Sequence, residues 1–233
     1  MLSNAARFLM VSAAASLVAL SSAPAEACSD VADEALNIIA AGTSVSNGAP
    51  FFTLAMKNQS GYTSTDIAVL WGSTSPNSHL YYDNIVAEHY FDRVTNVADI
   101  AAGDLLAINH VVNGSGTVTY SGHAAIITGP ATELPTALSP IYASTRQWAL
   151  PIADATSSVH GCNQSFPDSR WSGDCKAGTF AGGTGTASMR LYTNPSGDLL
   201  GYTWSVTSGA TYYSPSTRPY AIGKLTSCTP FSE

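Results

Sequence analysis

Residues 103–130 read GDLLAINHVVNGSGTVTYSGHAAIITGP, and the punctuation of this run decides the fold class. Gly103-Asp104 opens the apolar run from Leu105, Gly114 and Gly116 interrupt the chain, and Gly122 stands before the second apolar run, which His123 begins. Short apolar runs bounded by glycine-rich turns are strand signals, too short for helices of ordinary length. The segment therefore reads as successive antiparallel strands.

Working outward, the two flanks differ. Upstream, Ser29 followed by DVADEALNIIAAG has the form of a capped amphipathic helix, with acids in its first turn, Gly42 as its stop, and Val31, Ala35, Leu36, Ile38 and Ile39 on its apolar face. A second short helix is expected from Thr65 to Leu70, behind hydroxyls at 63–65 and before Gly72. A third is expected from Tyr81 to Arg93, with Ile85, Val86, His89 and Tyr90 on one face. Downstream, SMRLYT, LLGYTWSV and YAIGKL read as strands, the first two joined by the turn sequence NPSGD. Cys162 to Gly185 reads as a long loop, and His160, beside Gly161 and Cys162, reads as exposed loop. Helices first and strands afterwards predict an α+β domain, its N-terminal helices packed on a curled antiparallel sheet.

The chain has 233 residues and no repeat of fixed period, which suits a single domain over 28–233. Hydrophobic residues make up 45%, enough for a substantial core. Nine Lys plus Arg against sixteen Asp plus Glu give a net charge of −7, which repels a phosphate backbone and argues against nucleic acid as a partner. Residues 1–27 read as a secretory signal peptide: Arg7, an apolar run from Phe8 to Leu20, then small residues ending in Ala25-Glu26-Ala27. The apolar run is too short to span a bilayer, so the expectation is a secreted or periplasmic protein without a membrane span. Cys28, Cys162, Cys175 and Cys228 all follow the cut, and in an oxidising compartment they allow three pairings. Cys162 with Cys175 would close a short loop, and Cys28 with Cys228 would tie the two ends of the domain together. No zinc-type spacing occurs, and neither a metal nor a cofactor is expected.

Phosphate-binding, serine-elbow and zinc-protease motifs are all missing. The Gly-Asp strand and Gly-His strand of 103–130 do, however, resemble the NlpC-type papain-like cell-wall hydrolases, whose catalytic histidine begins a strand. The later ALPIADATSSVHG, GGTGTASMRLYTNPSGDLLGYTWS and RPYAIGKL are also similar to parts of that family. The resemblance implies a papain-like fold, His123 as general base and Asp154 as the carboxylate that orients it. Its substrate would be cell-wall peptide or another small peptide. The sequence departs from the family at the nucleophile. Where the family has a cysteine opening a helix, the counterpart here is YTSTDIAVL, which puts Ser64 in that place.

A Ser64–His123–Asp154 arrangement is chemically workable, since imidazole can take a serine proton when a buried carboxylate fixes its tautomer. Each residue also has a plainer role: Ser64 a helix cap, His123 a strand-start histidine bonded to a backbone carbonyl, Asp154 a turn former. The four tryptophans read as core rather than groove. Two functions follow: hydrolysis of an amide or peptide bond through these three residues, or a binding or structural module that has lost its nucleophile.

Overall fold

The computed structural model describes residues 28, 30–174 and 177–228; the expected leader at 1–27, the Ser29 cap and Cys175 lie outside the described residues. Helix α1, Asp30–Ala40, buries Val31, Ala32, Ala35 and Ile38 and is followed by Gly42 at φ 65°. Leu36, expected on the buried face, is 39% exposed. Helix α2, Gly48–Ser60, was not expected from the sequence. Phe51 and Ala55, and Phe52 and Met56, recur four residues apart on its buried side, and left-handed Gly61 ends it.

Helix α3, Ser64–Trp71, has Thr63 rather than Ser64 as its cap: Thr63 Oγ1 accepts from the Asp66 N–H, and Asp66 accepts from the Thr63 N–H at 2.7 Å. Helix α4, Ser78–Val86, starts earlier and stops sooner than the expected 81–93. The Asn77 side chain caps it by accepting from the Leu80 N–H. After Ala87 the backbone turns left-handed at Glu88 and Tyr90, which no helix tolerates, and Phe91 starts a strand instead.

The strands are β1 (Phe91–Val94), β2 (Leu105–Ile108), β3 (Val111–Val112), β4 (Val118–Tyr120), β5 (His123–Ile127), β6 (Thr132–Glu133), β7 (Arg146–Thr156), β8 (Trp171–Ser172), β9 (Thr179–Phe180), β10 (Gly183–Thr193), β11 (Leu199–Thr203), β12 (Tyr212–Tyr213) and β13 (Tyr220–Leu225). Nine of them form one sheet in the order β1-β13-β2-β5-β7-β10-β11-β12, with β6 added against β7. All its pairings are antiparallel. The expected long loop at 162–185 carries the small β8–β9 hairpin and the first residues of β10.

Alternation along the strands divides the core in two. Leu105, Ala107, Ala124, Ile126, Ala153 and Ala155 meet α1, α2 and α4 on one side of the sheet. Leu106, Ile108, Ala125, Ile127, Ile152, Met189 and Leu191 face the other side and pack on one another. That second cluster holds residues from β1 and β13 together with residues from β11, strands far apart in the sheet order. The rings of Tyr202 and Tyr220 lie 5.2 Å apart, and Asn96 bridges to Asp198. The sheet is therefore curled so that its far strands close over their own side chains.

This corrects the papain-like expectation. The molecule is α+β in the broad sense, but the bulk of the described residues is a curled nine-stranded antiparallel sheet, and the four helices among them are short, the longest of 13 residues. The physical reason is that β7 and β10 pair over eleven residues each, so strand pairing rather than helix packing organises the core. A disulfide joins Cys28 to Cys228, as expected. Cys162 is also disulfide-bonded, while its expected partner Cys175 is outside the described residues.

Candidate functional site

His123 is the first residue of β5, and Ile126 of the same strand pairs with Ala153 of β7. Because Ala125, Ile127 and Ile152 face the second cluster, alternation sends His123 and Asp154 to that same side. There they meet: His123 Nε2 lies 2.6 Å from Asp154 Oδ2. Two of the residues singled out in the sequence are thus brought together.

Ser64 is not. It sits exposed at the first position of α3, accepting a hydrogen bond from Lys57 Nζ at 2.8 Å, and does not line the cavity that His123 faces. The catalytic expectation for Ser64 is corrected accordingly: the helix whose N-terminus approaches His123 is α2, not α3. Gly48 is pressed so closely on β5 that a side chain there would collide with the Ala124 carbonyl, which brings Asn47 to the cavity wall beside His123. The plainer turn role for Asp154 also falls away, since Asp154 lies within β7, fully buried.

The structure adds three residues to the pair. His160, expected at the surface, is 4% exposed, with Nε2 2.8 Å from Asp154 Oδ2 and Nδ1 2.9 Å from the Trp204 carbonyl oxygen. Arg170 donates from Nη1 to Asp154 Oδ1 at 2.7 Å and from Nε to Asp168 Oδ1 at 2.8 Å. Asp168 in turn accepts from the His160 N–H at 3.0 Å. Gly185, paired with Asp154 across the β7–β10 ladder, makes this possible: a Cβ at 185 would meet Arg170 Cγ at 2.7 Å. Sequence signals for these residues existed. Asp168 and Arg170 are two charges close together in a chain with only nine Lys plus Arg, and glycine within a strand marks a close approach.

Charge balance sets the protonation of the cluster. Asp154 and Asp168 are two buried carboxylates and Arg170 supplies one cation, so neutrality needs one more positive charge. His160 fits that need, because both of its ring nitrogens face acceptors, a carboxylate and a carbonyl. Burial pushes its pKa down, but the Asp154 charge and hydrogen bonds push it further up, and the net direction is up. For Asp154, burial raises the pKa while the His160 charge and the hydrogen bonds from both imidazoles lower it more, holding the carboxyl well below its ordinary range. An ionised Asp154 accepts the Nε2–H of His123 and so leaves Nδ1 as the basic nitrogen.

No hydrogen-bond partner of Nδ1 is found among the described residues. The ring packs edge-on to Trp204, centroids 5.2 Å apart, and forms part of the wall of a cavity of about 420 Å³. A smaller one of about 250 Å³ adjoins it, sharing Asn47, Ser121, Gly122 and His123. Trp204, expected in the core, is partly exposed in this wall. No family model matches the chain, and no solved structure matches it. The chain is similar to an uncharacterized protein of Acanthamoeba polyphaga mimivirus, 25% identical over 187 residues that cover 78% of each chain.

His123, Asp154 and His160 place their ligand atoms within 4.8 Å of one another, a spacing that could hold a metal ion. The donor set fits poorly. Asp154 Oδ2 is already shared by two imidazoles, and its other oxygen is ion-paired with Arg170, whose fixed charge would repel a divalent cation. The arrangement suits a proton relay better than a metal.

Proposed function

We propose that the protein hydrolyses an amide bond in a small peptide, with His123 as the general base. The observation that carries this reading is the division of labour within one ring: Nε2 is held by buried Asp154, while Nδ1 has no hydrogen-bond partner among the described residues and the ring lines a cavity of about 420 Å³. Nδ1 takes a proton from water as the water oxygen bonds to the amide carbon, and returns it to the leaving nitrogen as the C–N bond breaks. The Gly48 and Ala49 N–H groups, in the first turn of α2, have no acceptor within the helix, and both residues line the adjoining cavity. They are suited to stabilise the developing oxyanion. The Cys28–Cys228 disulfide supports an exported location, where cell-envelope peptide would be the substrate.

The alternative, a binding module without turnover, is favoured by one observation: no free thiol is present among the described residues. Incubation of the oxidised protein with purified cell-wall peptides, followed by mass spectrometry, separates the two. New fragments that disappear with His123→Ala establish the hydrolase. Ser46→Ala is the second arm, because Ser46 lines the same cavity. Full activity in that variant supports attack by water, whereas its loss would mean a covalent acyl route. No fragments from any peptide would leave the binding module.

A further inference from the structure

The cavity wall that carries His123 also carries a cation of a different kind. Arg218 lines the same cavity, and its guanidinium lies over two phenol rings, 4.0 Å from the centre of Tyr120 and 3.8 Å from that of Tyr213. A guanidinium held by ring contacts keeps its N–H edge for in-plane recognition, here with the buried Tyr202 hydroxyl as one neighbour of that edge. Its backbone is fixed as well. The Arg218 and Thr217 N–H groups both donate to the Ser214 carbonyl, at 2.9 and 3.0 Å, and the Ser214 N–H donates to Thr217 Oγ1 at 3.0 Å.

What this cation lacks is a counter-charge. Arg146 and Arg170 are paired with carboxylates, but none lies within ion-pair distance of Arg218 among the described residues. Lys57, Arg93, Arg190 and Lys224 are likewise without an ion pair among the described residues, but of these cations only Arg218 lines the His123 cavity, where it is half-buried and immobilised in a protein of net charge −7. Beside it, the buried Tyr120 hydroxyl has no hydrogen-bond partner among the described residues. Tyr120, Ser121, Gly122 and His123 follow one another along the cavity wall, so the arginine platform and the base belong to one continuous stretch of chain.

We propose that Arg218 is a specificity-determining residue that binds a carboxylate of the peptide, so that the cavity selects acidic peptides. This rests on the hydrolase reading for the reaction, but not for the binding. A carboxylate presents two in-plane acceptors to the guanidinium edge, the geometry that favours arginine over lysine. The platform holds the edge in place before the ligand arrives, which lowers the ordering cost of binding.

The test is a binding titration followed by NMR, with acetyl-alanyl-glutamate amide against acetyl-alanyl-glutamine amide and inorganic phosphate as the third probe. It is run on the oxidised wild type, His123→Ala, Arg218→Gln and Arg218→Lys. The glutamate peptide is expected to bind at least tenfold more tightly than its glutamine counterpart in wild type and in His123→Ala. The preference falls below twofold in Arg218→Gln and is intermediate in Arg218→Lys, which keeps the charge and guards against a folding artefact. Equal affinity for the two peptides, no binding of either, binding of phosphate alone, or a preference that survives Arg218→Gln overturns the proposal. The preference without any peptide cleavage would sink the hydrolase and leave the carboxylate site standing. Cleavage without the preference would do the reverse.

Discussion

Asp154 and Gly185 stand opposite each other across the β7–β10 ladder, and the side chain missing at 185 is the space through which Arg170 reaches Asp154. A buried carboxylate serving two imidazoles is thereby tied to a buried guanidinium from a different segment of the chain. Position 185 controls whether that tie can form.

Gly185→Ala is expected to push Arg170 off Asp154 and to destabilise the protein by about 3 kcal/mol, the range seen when a buried ion pair is broken or a core overfilled. Gly114→Ala is the matched control, because a Cβ there meets nothing within 4 Å. Urea denaturation should show an unchanged midpoint for the control and a clear fall for Gly185→Ala. Equal midpoints would mean that Arg170 has another route to Asp154.

Asp154→Asn keeps the shape of the side chain but removes its charge. His123 would then lose the acceptor that holds Nε2–H, and Arg170 and His160 would lose their shared counter-ion. Once a cleaved peptide is in hand, kcat/KM should fall by roughly 10³ to 10⁴, as when an orienting carboxylate is replaced by an amide. Stability should fall by about 3 kcal/mol or more. A variant that retained full turnover would remove Asp154 from the mechanism.

Three buried groups give a signed pH dependence of stability. Asp104, 2% exposed in its loop before β2, has its carboxyl pushed up to about 6 by burial, against the backbone hydrogen bond from Ala101 and the charge of Lys224. A raised carboxyl destabilises once it ionises, so stability should decline by ~3 kcal/mol between about pH 4 and pH 6. The raised His160 stabilises in full below its unfolded value near 6.5, and that contribution is lost as pH rises through its higher folded value, with Asp154, Asp168, Arg170 and the Trp204 carbonyl around it. Asp154, lowered, contributes fully above about pH 4 and loses its contribution only below that. Thermal unfolding should therefore show greatest stability near pH 4 to 5. Asp104→Asn should flatten the first decline and His160→Gln the second; a profile rising from pH 5 to 8 would contradict both assignments.

Metal analysis separates the proton relay from a chelate. Equilibrium dialysis against zinc is expected to leave no stoichiometric metal on the oxidised protein, and EDTA should not change peptide cleavage. One tightly held zinc that disappears in His160→Ala would replace the relay with a metal centre.

The parts of the fold legible in the sequence were those with local causes. The strands of 103–130, the hydroxyl-led start of α3, expected at Thr65 and found one residue earlier behind the Thr63 cap, and the stops at Gly42 and Gly72 are set by glycine and hydroxyl chemistry within a few residues. The full length of β7 was not legible, because Pro151 argues against an interior strand. The structure resolves this. The Pro151 carbonyl accepts from the Thr128 N–H, so its nitrogen points to the same side, into the gap between the end of β5 opposite Ile152 and the start of β6 opposite Ala149. No ladder bond is lost there.

The site was half legible for a similar reason. His123 announces itself by the glycine before it and the strand after it, but His160, Asp168 and Arg170 acquire their roles only from non-local contacts with Asp154 and Trp204. Helix α2 escaped because glycine, alanine and proline make an unremarkable first turn. Its placement depends on Gly48 fitting against Ala124, a contact invisible without the sheet.

The Cys28–Cys228 bond spans a sequence separation of 200 residues, with Cα atoms only 5.9 Å apart. Pulling on the chain at these two positions would load the sulfur bridge and leave the hydrogen bonds of the sheet slack. The oxidised molecule is mechanically a closed ring hung from one point, able to bear tension without unravelling. Reduction would turn the same pull into a force that peels α1 and β13 from opposite ends of the chain.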